Sequence, residues 1–167
     1  MKTKDLSLSA LFIALIIIAT AFIHVPSGLA NGYIHFGDSM IFLAIMFIPN
    51  YRGVFVGGLG SMLSDVVAGY AFFAPLTFVV KMLMGLVFFL VIRKNPENRM
   101  QRITGFVFAG IVLVSGYFIG EYFMYNSVAI PLTEVLGNTV QVIGSVVIFE
   151  IVYNILKRTG IKEKIGE

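Results

Sequence analysis

The sequence predicts an all-α integral membrane protein, a bundle of six helices that forms a single domain over residues 1–167. Of these residues 58% are hydrophobic and only 13% are charged, and the mean hydropathy is +0.93. Such a chain cannot present an ordinary polar surface to water, so it needs lipid as its solvent. The apolar residues fall into six runs, and the length leaves no room for a separate soluble catalytic domain.

The basic residues predict the orientation, because cytoplasmic loops of membrane proteins collect positive charge. All but one of the Lys and Arg residues flank alternate apolar runs: Lys2, Lys4, Arg52, Arg93, Lys94, Arg99, Arg102, Lys157, Arg158, Lys162 and Lys164. The connections over residues 26–37, 69–75 and 126–131 contain none. Both termini are therefore expected in the cytoplasm. The net charge of +3 belongs to this inner face, which argues against a nucleic-acid partner.

The first three apolar runs differ in length and in glycine content. A helix is predicted over residues 8–25, and its apolar stretch is too long for the core of a cleaved signal peptide. The second run, residues 39–48, lies between Gly37 and Pro49, so it is shorter than a full crossing. The third helix, residues 54–70, is rich in glycine. The pair Gly53 and Gly57 has the four-residue spacing that allows helices to pack closely in lipid.

The second half of the chain contains longer runs. A fourth helix is predicted over residues 75–92, since Pro75 costs little at a helix start. Residues 93–102 are hydrophilic and predict a cytoplasmic loop. Two further helices are predicted over residues 105–125 and 132–156, followed by a basic tail.

Ionisable groups within the runs are costly in hydrocarbon, so they usually pair with each other, face a cavity or line a pathway. The predicted orientation places nearly all of them, and the amides, in the outer half: His24, His35, Asp38, Asp65, Lys81, Glu121, Glu134, Asn138 and Gln141. Only Glu150 lies toward the cytoplasm. This predicts an outward-facing binding pocket, because a channel or proton relay requires polar groups at successive depths.

Eight residues are candidates for substrate binding. Three lie in the first outer connection and five in the later helices: Asn31, Tyr33, His35, Lys81, Glu121, Tyr125, Asn138 and Gln141. Glu121 and Tyr125 are four residues apart and share a helix face, and Asn138 and Gln141 form a similar amide pair.

Purely structural roles remain as alternatives for the charged candidates. Lys81 either contacts substrate or neutralises Asp38, Asp65 or Glu121 inside the bundle. Asp38 either has a secondary role at the site or caps the second helix, where it would accept hydrogen bonds from free backbone N–H groups. Asp65, among glycines and small residues, is expected to be structural.

No catalytic or metal-binding signature accompanies these residues. The chain has no cysteine, no nucleotide-binding GxxxxGK[ST] motif and no HExxH zinc motif. The sequence therefore predicts a protein that is not an enzyme and has no metal or cofactor of its own.

Three segments resemble the substrate-binding S components of energy-coupling factor (ECF) vitamin transporters. They are residues 32–44 (GYIHFGDSMIFLA), 57–65 (GGLGSMLSD) and 74–81 (APLTFVVK) with Gly85. They are most similar to the branch that includes proteins for riboflavin, hydroxymethylpyrimidine and pyridoxine-like compounds. Because the sequence contains no Trp, it lacks the aromatic shelf of some family members, which makes thiamin a poorer candidate.

The resemblance implies a subunit of the prokaryotic cell membrane that captures a vitamin from outside. It further implies docking on a transmembrane T subunit that carries two ATPases, which use the ATP. In the family, an Ala-x-x-x-Ala motif on the first helix contacts the T subunit, and Ala10 and Ala14 match it. Residues 26–37 correspond to the lid over the substrate. The alternative is a self-sufficient secondary transporter that couples ions through Lys81 and the acids, although no internal repeat supports it.

Overall fold

The computed structural model describes residues 3–26 and 33–160, and within them it shows the predicted bundle of six α-helices. A short π-helical segment and a two-stranded hairpin follow the first helix. The elements, in chain order, are α1 (Thr3–Ile17), the π-helical segment (Ile18–Phe22), β1 (His24–Pro26), β2 (Tyr33–His35), α2 (Gly37–Phe47), α3 (Arg52–Val67), α4 (Ala74–Ile92), α5 (Arg99–Tyr125) and α6 (Ala129–Arg158). The sequence had predicted only a connection where the antiparallel hairpin lies.

Within residues 3–26 and 33–160, four helical segments are long and apolar enough to cross a membrane: α1 with its π-helical continuation, α4, α5 and α6. Their lengths of 20, 19, 27 and 30 residues meet the requirement of roughly 20 residues for one crossing. The predicted shortness of the second run is confirmed, because α2 has only 11 residues. Ten of these are buried, so α2 lies among the other helices, and its length does not have to match the bilayer.

Two ion pairs, together with a contact at 4.9 Å between the rings of Tyr51 before α3 and Phe89 near the end of α4, show that the basic connections share one end of the bundle. Arg52, at the start of α3, lies 2.6 Å from Asp5 of α1. Arg102, near the start of α5, lies 3.0 Å from Glu150 near the end of α6. We call this the basic end and the opposite one, which carries β1 and β2, the hairpin end. The distribution of positive charge predicts that the basic end faces the cytoplasm.

The start of α5 corrects the predicted loop over residues 93–102. The helix begins at Arg99, because the Asn98 side chain accepts hydrogen bonds from the backbone N–H groups of Met100 and Gln101, at 2.9 and 3.2 Å. This is the usual role of an N-cap side chain. The first turns of α5 are polar, so hydropathy alone places the start of the helix too late.

α2 and α3 pack at very short range, as their glycines predicted. A methyl group at Gly53 would lie 2.7 Å from the backbone carbonyl oxygen of Ala44, and one at Gly57 would lie 2.5 Å from Ile41. In lipid, close packing of this kind replaces the hydrophobic drive between helices.

Four buried phenylalanines fill the half of the bundle toward the basic end, one each from α2, α4, α5 and α6. They are Phe42, Phe88, Phe106 and Phe149, which we call the Phe cluster. The rings of Phe88 and Phe106 stack at 4.8 Å, and Phe106 meets Phe42 and Phe149 edge-on at 5.0 and 5.1 Å. These are favourable aromatic geometries. The cluster therefore forms an apolar barrier across this half of the bundle.

Truncation of the Phe cluster is expected to destabilise the fold. Phe88→Ala should lower the free energy of unfolding by about 3 kcal/mol, because it leaves a cavity among buried rings. Phe123→Ala is the matched control, since that ring is 76% exposed on the outside of α5. Equilibrium unfolding in detergent micelles measures both, and equal stability of the two variants would contradict the proposed packing.

Candidate functional site

A buried ion pair lies at the boundary between the Phe cluster and the hairpin end. Nζ of Lys81 in α4 is 2.6 Å from Oδ1 of Asp38 in α2, and the two side chains are 0% and 1% exposed. Nε2 of Gln141 in α6 donates a hydrogen bond to Oδ2 of Asp38 at 2.9 Å. Both carboxylate oxygens are thus bonded to side chains of two other helices. Of the three acids considered for Lys81, Asp38 is the one it pairs with.

Asp38 does not cap α2, contrary to one of the two roles considered for it. The helix begins at Gly37, and its N-cap residue, Phe36, makes no side-chain cap bond. The buried ammonium group of Lys81 attracts the carboxylate more strongly than neutral backbone N–H groups do.

His35 is buried and bonds to the backbone at the base of the hairpin. Its Nδ1 accepts a hydrogen bond from the N–H of Gly37 at 3.1 Å. This contact requires Nδ1 to be unprotonated, because a protonated ring nitrogen cannot accept a hydrogen bond.

The base of the hairpin is also fixed to the end of the first helix. The N–H of Phe36 donates to the carbonyl oxygen of Ala19 in the π-helical segment at 3.3 Å. A methyl group at Gly37 would overlap Oγ1 of Thr20 in the same segment, so a larger residue there would require Thr20 to move. Single π-helical turns occur frequently at functional sites.

Two carboxylates from different helices lie nearer the hairpin end. Glu121 of α5 and Glu134 of α6 are 7% and 9% exposed, and they are close enough for their charges to repel each other. Within the described residues, Oε2 of Glu121 and Oε1 of Glu134 have no hydrogen-bond partner. The half-buried Tyr125 interacts electrostatically with both acids, and its ring lies 6.3 Å from that of Phe73.

α6 contributes polar side chains at helical spacing on its inner face. Glu134, Asn138 and Gln141 follow one another at intervals of four and three residues, which places them on the same face. Asn138 is half-buried between the two others. Ser145, one turn beyond Gln141, is fully buried, and its Oγ has no partner among the described residues.

Sequence reasoning missed Tyr117 and Thr77, and it placed Glu134 in the outer polar layer without naming it as a binding candidate. Tyr117 donates a hydrogen bond to Thr77 at 3.2 Å, and Nζ of Lys81 lies 5.4 Å from the centre of the Tyr117 ring, within cation–π range. Tyr117 precedes Glu121 by four residues, and Glu134 precedes Asn138 by four. This helical spacing is the signal that could have identified Tyr117 and Glu134 as candidates.

The remaining predicted residues have different placements. Asn31 lies outside the described residues, and Tyr33 belongs to β2, where its backbone pairs with Pro26. Asp65 is buried in α3 and does not pair with Lys81. Ala10 and Ala14 are exposed on α1, as a docking surface requires.

Comparison with known proteins gives the family. The sequence profile described as "ECF-type riboflavin transporter, S component" matches residues 1–158. The chain belongs to the family of ECF transporter S components. It is also similar to a Pyrococcus woesei protein described as "Uncharacterized protein in gap 3'region", with 32% identity over 131 residues, which is 78% of this chain and 86% of that protein.

The fold of this S component agrees with a solved structure reported as "Structure and mechanism of the S component of a bacterial ECF transporter". The TM-score is 0.80 at 22% identity, over 95% of this chain and 98% of the other. Membership of the family makes the protein a membrane-embedded, substrate-binding transporter subunit, not an enzyme. Proteins of this family associate with T and ATPase subunits.

Removal of one partner of the buried ion pair should be costly. Lys81→Met is expected to lower the free energy of unfolding by about 3–5 kcal/mol, because the charge of Asp38 is left buried and unpaired. The double variant Lys81→Met/Asp38→Asn should recover most of this loss, since no net charge remains.

Lys157→Met is the matched control. This lysine also pairs with a carboxylate, Glu97, but is 57% exposed, so its loss should cost less than about 1 kcal/mol. Equilibrium unfolding of the four proteins in one detergent provides the measurement. A double variant as unstable as the single one would show that the pair is not the reason for the loss.

Proposed function

We propose that this S component captures a small heteroaromatic vitamin or vitamin precursor at the outer face of a prokaryotic cell membrane. Delivery then takes place through a T subunit driven by two partner ATPases. The proposed substrate is of the hydroxymethylpyrimidine or pyridoxine type, and riboflavin, named in the description of the family profile, is the other candidate. The observation that carries the proposal is the convergence of polar side chains from α2, α4, α5 and α6 behind the hairpin.

The chemistry of this region suits a small heteroaromatic ring. Ring nitrogens and their substituents need hydrogen-bond partners, and Glu121 and Asn138 are available to supply them. Tyr125 and Phe73 offer aromatic faces at the same end of the bundle. Such a combination of apolar walls and a few polar groups is typical of small-molecule sites.

The closed basic end supports delivery through a partner. Below the site, the Phe cluster offers no polar group to a passing ligand. Below the cluster, Arg102 bonds to Glu150, while Glu97 accepts hydrogen bonds from Tyr153 and Lys157. These contacts join the connection before α5 to α6 and close the end of the bundle. A bound substrate therefore needs a rearrangement that partner subunits supply.

The hairpin is the proposed lid. Tyr33 and His35, with Asn31 of the same connection, are proposed to cover the substrate from the outer side. The His35–Gly37 hydrogen bond holds the base of this lid one residue from Asp38. Closure of such a lid excludes water and slows the escape of ligand.

The proposed T-subunit surface is the exposed face of α1. Ala10 and Ala14 lie one turn apart there and form a shallow notch between Leu11 and Ile18, which are 54% and 49% exposed. Small residues at this spacing allow a second helix to approach closely in lipid.

A bulky side chain in the notch is expected to prevent docking. Ala14→Trp should abolish co-purification with the T subunit and ATPase-dependent uptake, while ligand binding by the isolated S component stays unchanged. Ile151→Trp, on the exposed face of α6, is the control and should assemble normally. Uptake by the isolated chain that requires only an ion gradient would contradict the proposed function and favour a secondary transporter.

Loss of the amide on the inner face of α6 should weaken binding. Asn138→Ala is expected to raise the Kd for the transported vitamin roughly 5- to 150-fold, because a buried ligand group is left without its partner. Asn154→Ala, on the same helix at the basic end, should have no effect. Isothermal titration calorimetry in lipid nanodiscs measures both, and equal Kd values would place the site elsewhere.

A further inference from the structure

The site contains two buried acidic side chains that its own residues do not pair. Lys81 and Asp38 compensate each other. Glu121 and Glu134 remain, each more than nine-tenths buried, on different helices and without a basic partner in the described part of the chain. A buried carboxylate without a partner is strongly unfavourable.

We infer that the substrate presents an amino or protonated amine group to Glu121 and Glu134. This inference rests on the proposed function and narrows its substrate class to heteroaromatic rings that bear such a nitrogen. An amino group donates at least two hydrogen bonds, and the two carboxylates offer one unpartnered oxygen each, Oε2 of Glu121 and Oε1 of Glu134. The nitrogen bridges the two helices and relieves the repulsion between their acids.

A hydroxyl group is the poorer match. It donates one hydrogen bond and carries no positive charge, so it satisfies only one of the two oxygens. Hydrogen bonds between ionised partners are about twice as strong as neutral ones. The pair therefore discriminates between an amino group and a hydroxyl group at the same position of a ring.

A metal ion is also a poorer match to this pair. Hard cations take six or more oxygen ligands, whereas no group of three or more His, Cys, Asp or Glu residues suited to a metal occurs among the described residues. Tyr125 interacts electrostatically with both acids, and its ring lies 6.3 Å from that of Phe73, so a ring attached to the amine has an aromatic surface to stack on.

The test compares matched compounds in calorimetric titrations of the full-length protein in nanodiscs. The pairs are hydroxymethylpyrimidine with its amino group against the same ring with a hydroxyl in that position, and pyridoxamine against pyridoxine. At least one amino compound should bind about 10-fold or more tightly than its hydroxyl counterpart. Glu121→Gln and Glu134→Gln should each remove this preference and leave the hydroxyl compound little affected.

The control variant is Glu97→Gln, which makes the same change in the connection at the basic end and should keep the preference. Thermal unfolding without ligand adds a readout that does not depend on the probe: each site variant should unfold at a higher temperature than the unmodified protein, because the repulsion between the acids is gone. A lower unfolding temperature, or no preference for an amino compound in the unmodified protein, overturns the inference.

Further outcomes separate this inference from the proposed function. Binding of riboflavin or a hydroxyl compound at least as tightly as any amino compound overturns the inference alone. Absence of binding by every probe, together with uptake that persists without the ATPase subunits, overturns both.

Titrations of the same compounds in potassium buffer in place of sodium buffer complete the design. Binding that requires sodium, with a requirement lost in Glu121→Gln, would assign the acids to a metal ion instead.

Discussion

The buried ion pair between Lys81 and Asp38 is the contact on which the arrangement of the helices depends. In a bilayer an unpaired charge is so unfavourable that α4 must lie against the start of α2 wherever Lys81 is buried. Gln141 bonds to the free oxygen of the same carboxylate and brings α6 to the same point. Three helices are thus fixed at one level, and that level separates the polar half of the bundle from the Phe cluster.

This separation explains how a small chain can offer a polar binding site without forming a continuous polar path across the membrane. Polar groups occur toward the hairpin end, where the proposed ligand would enter, and the Phe cluster closes the path toward the basic end. Helices α2, α4, α5 and α6 each contribute one ring to the Phe cluster and polar side chains to the other half, so the proposed site and the barrier are built from the same helices. Under the proposed function, binding takes place from the hairpin end, and release at the basic end requires the partner subunits to move or reshape the bundle.

The helices and their common orientation were predictable, because lipid permits few structures and basic residues mark the alternate connections. Depth along each helix likewise predicted the polar layer. The partner of Lys81 was not predictable, since Asp38, Asp65 and Glu121 lie at similar depths and only the lateral arrangement of helices separates them. The strands of the hairpin have three residues each, too few for an alternating pattern to be recognised.

The short segment from β2 to α2 connects the proposed lid to the ion pair at the bottom of the proposed site. Phe36 bonds to Ala19, Gly37 bonds to His35 and packs against Thr20, and the next residue is Asp38 of the ion pair. Movement of the whole hairpin would break these buried hydrogen bonds at about 1–3 kcal/mol each and disturb the start of α2. The base of the proposed lid is therefore expected to stay fixed when ligand binds. A fixed base would leave the ion pair between Lys81 and Asp38 undisturbed while ligand enters the proposed site.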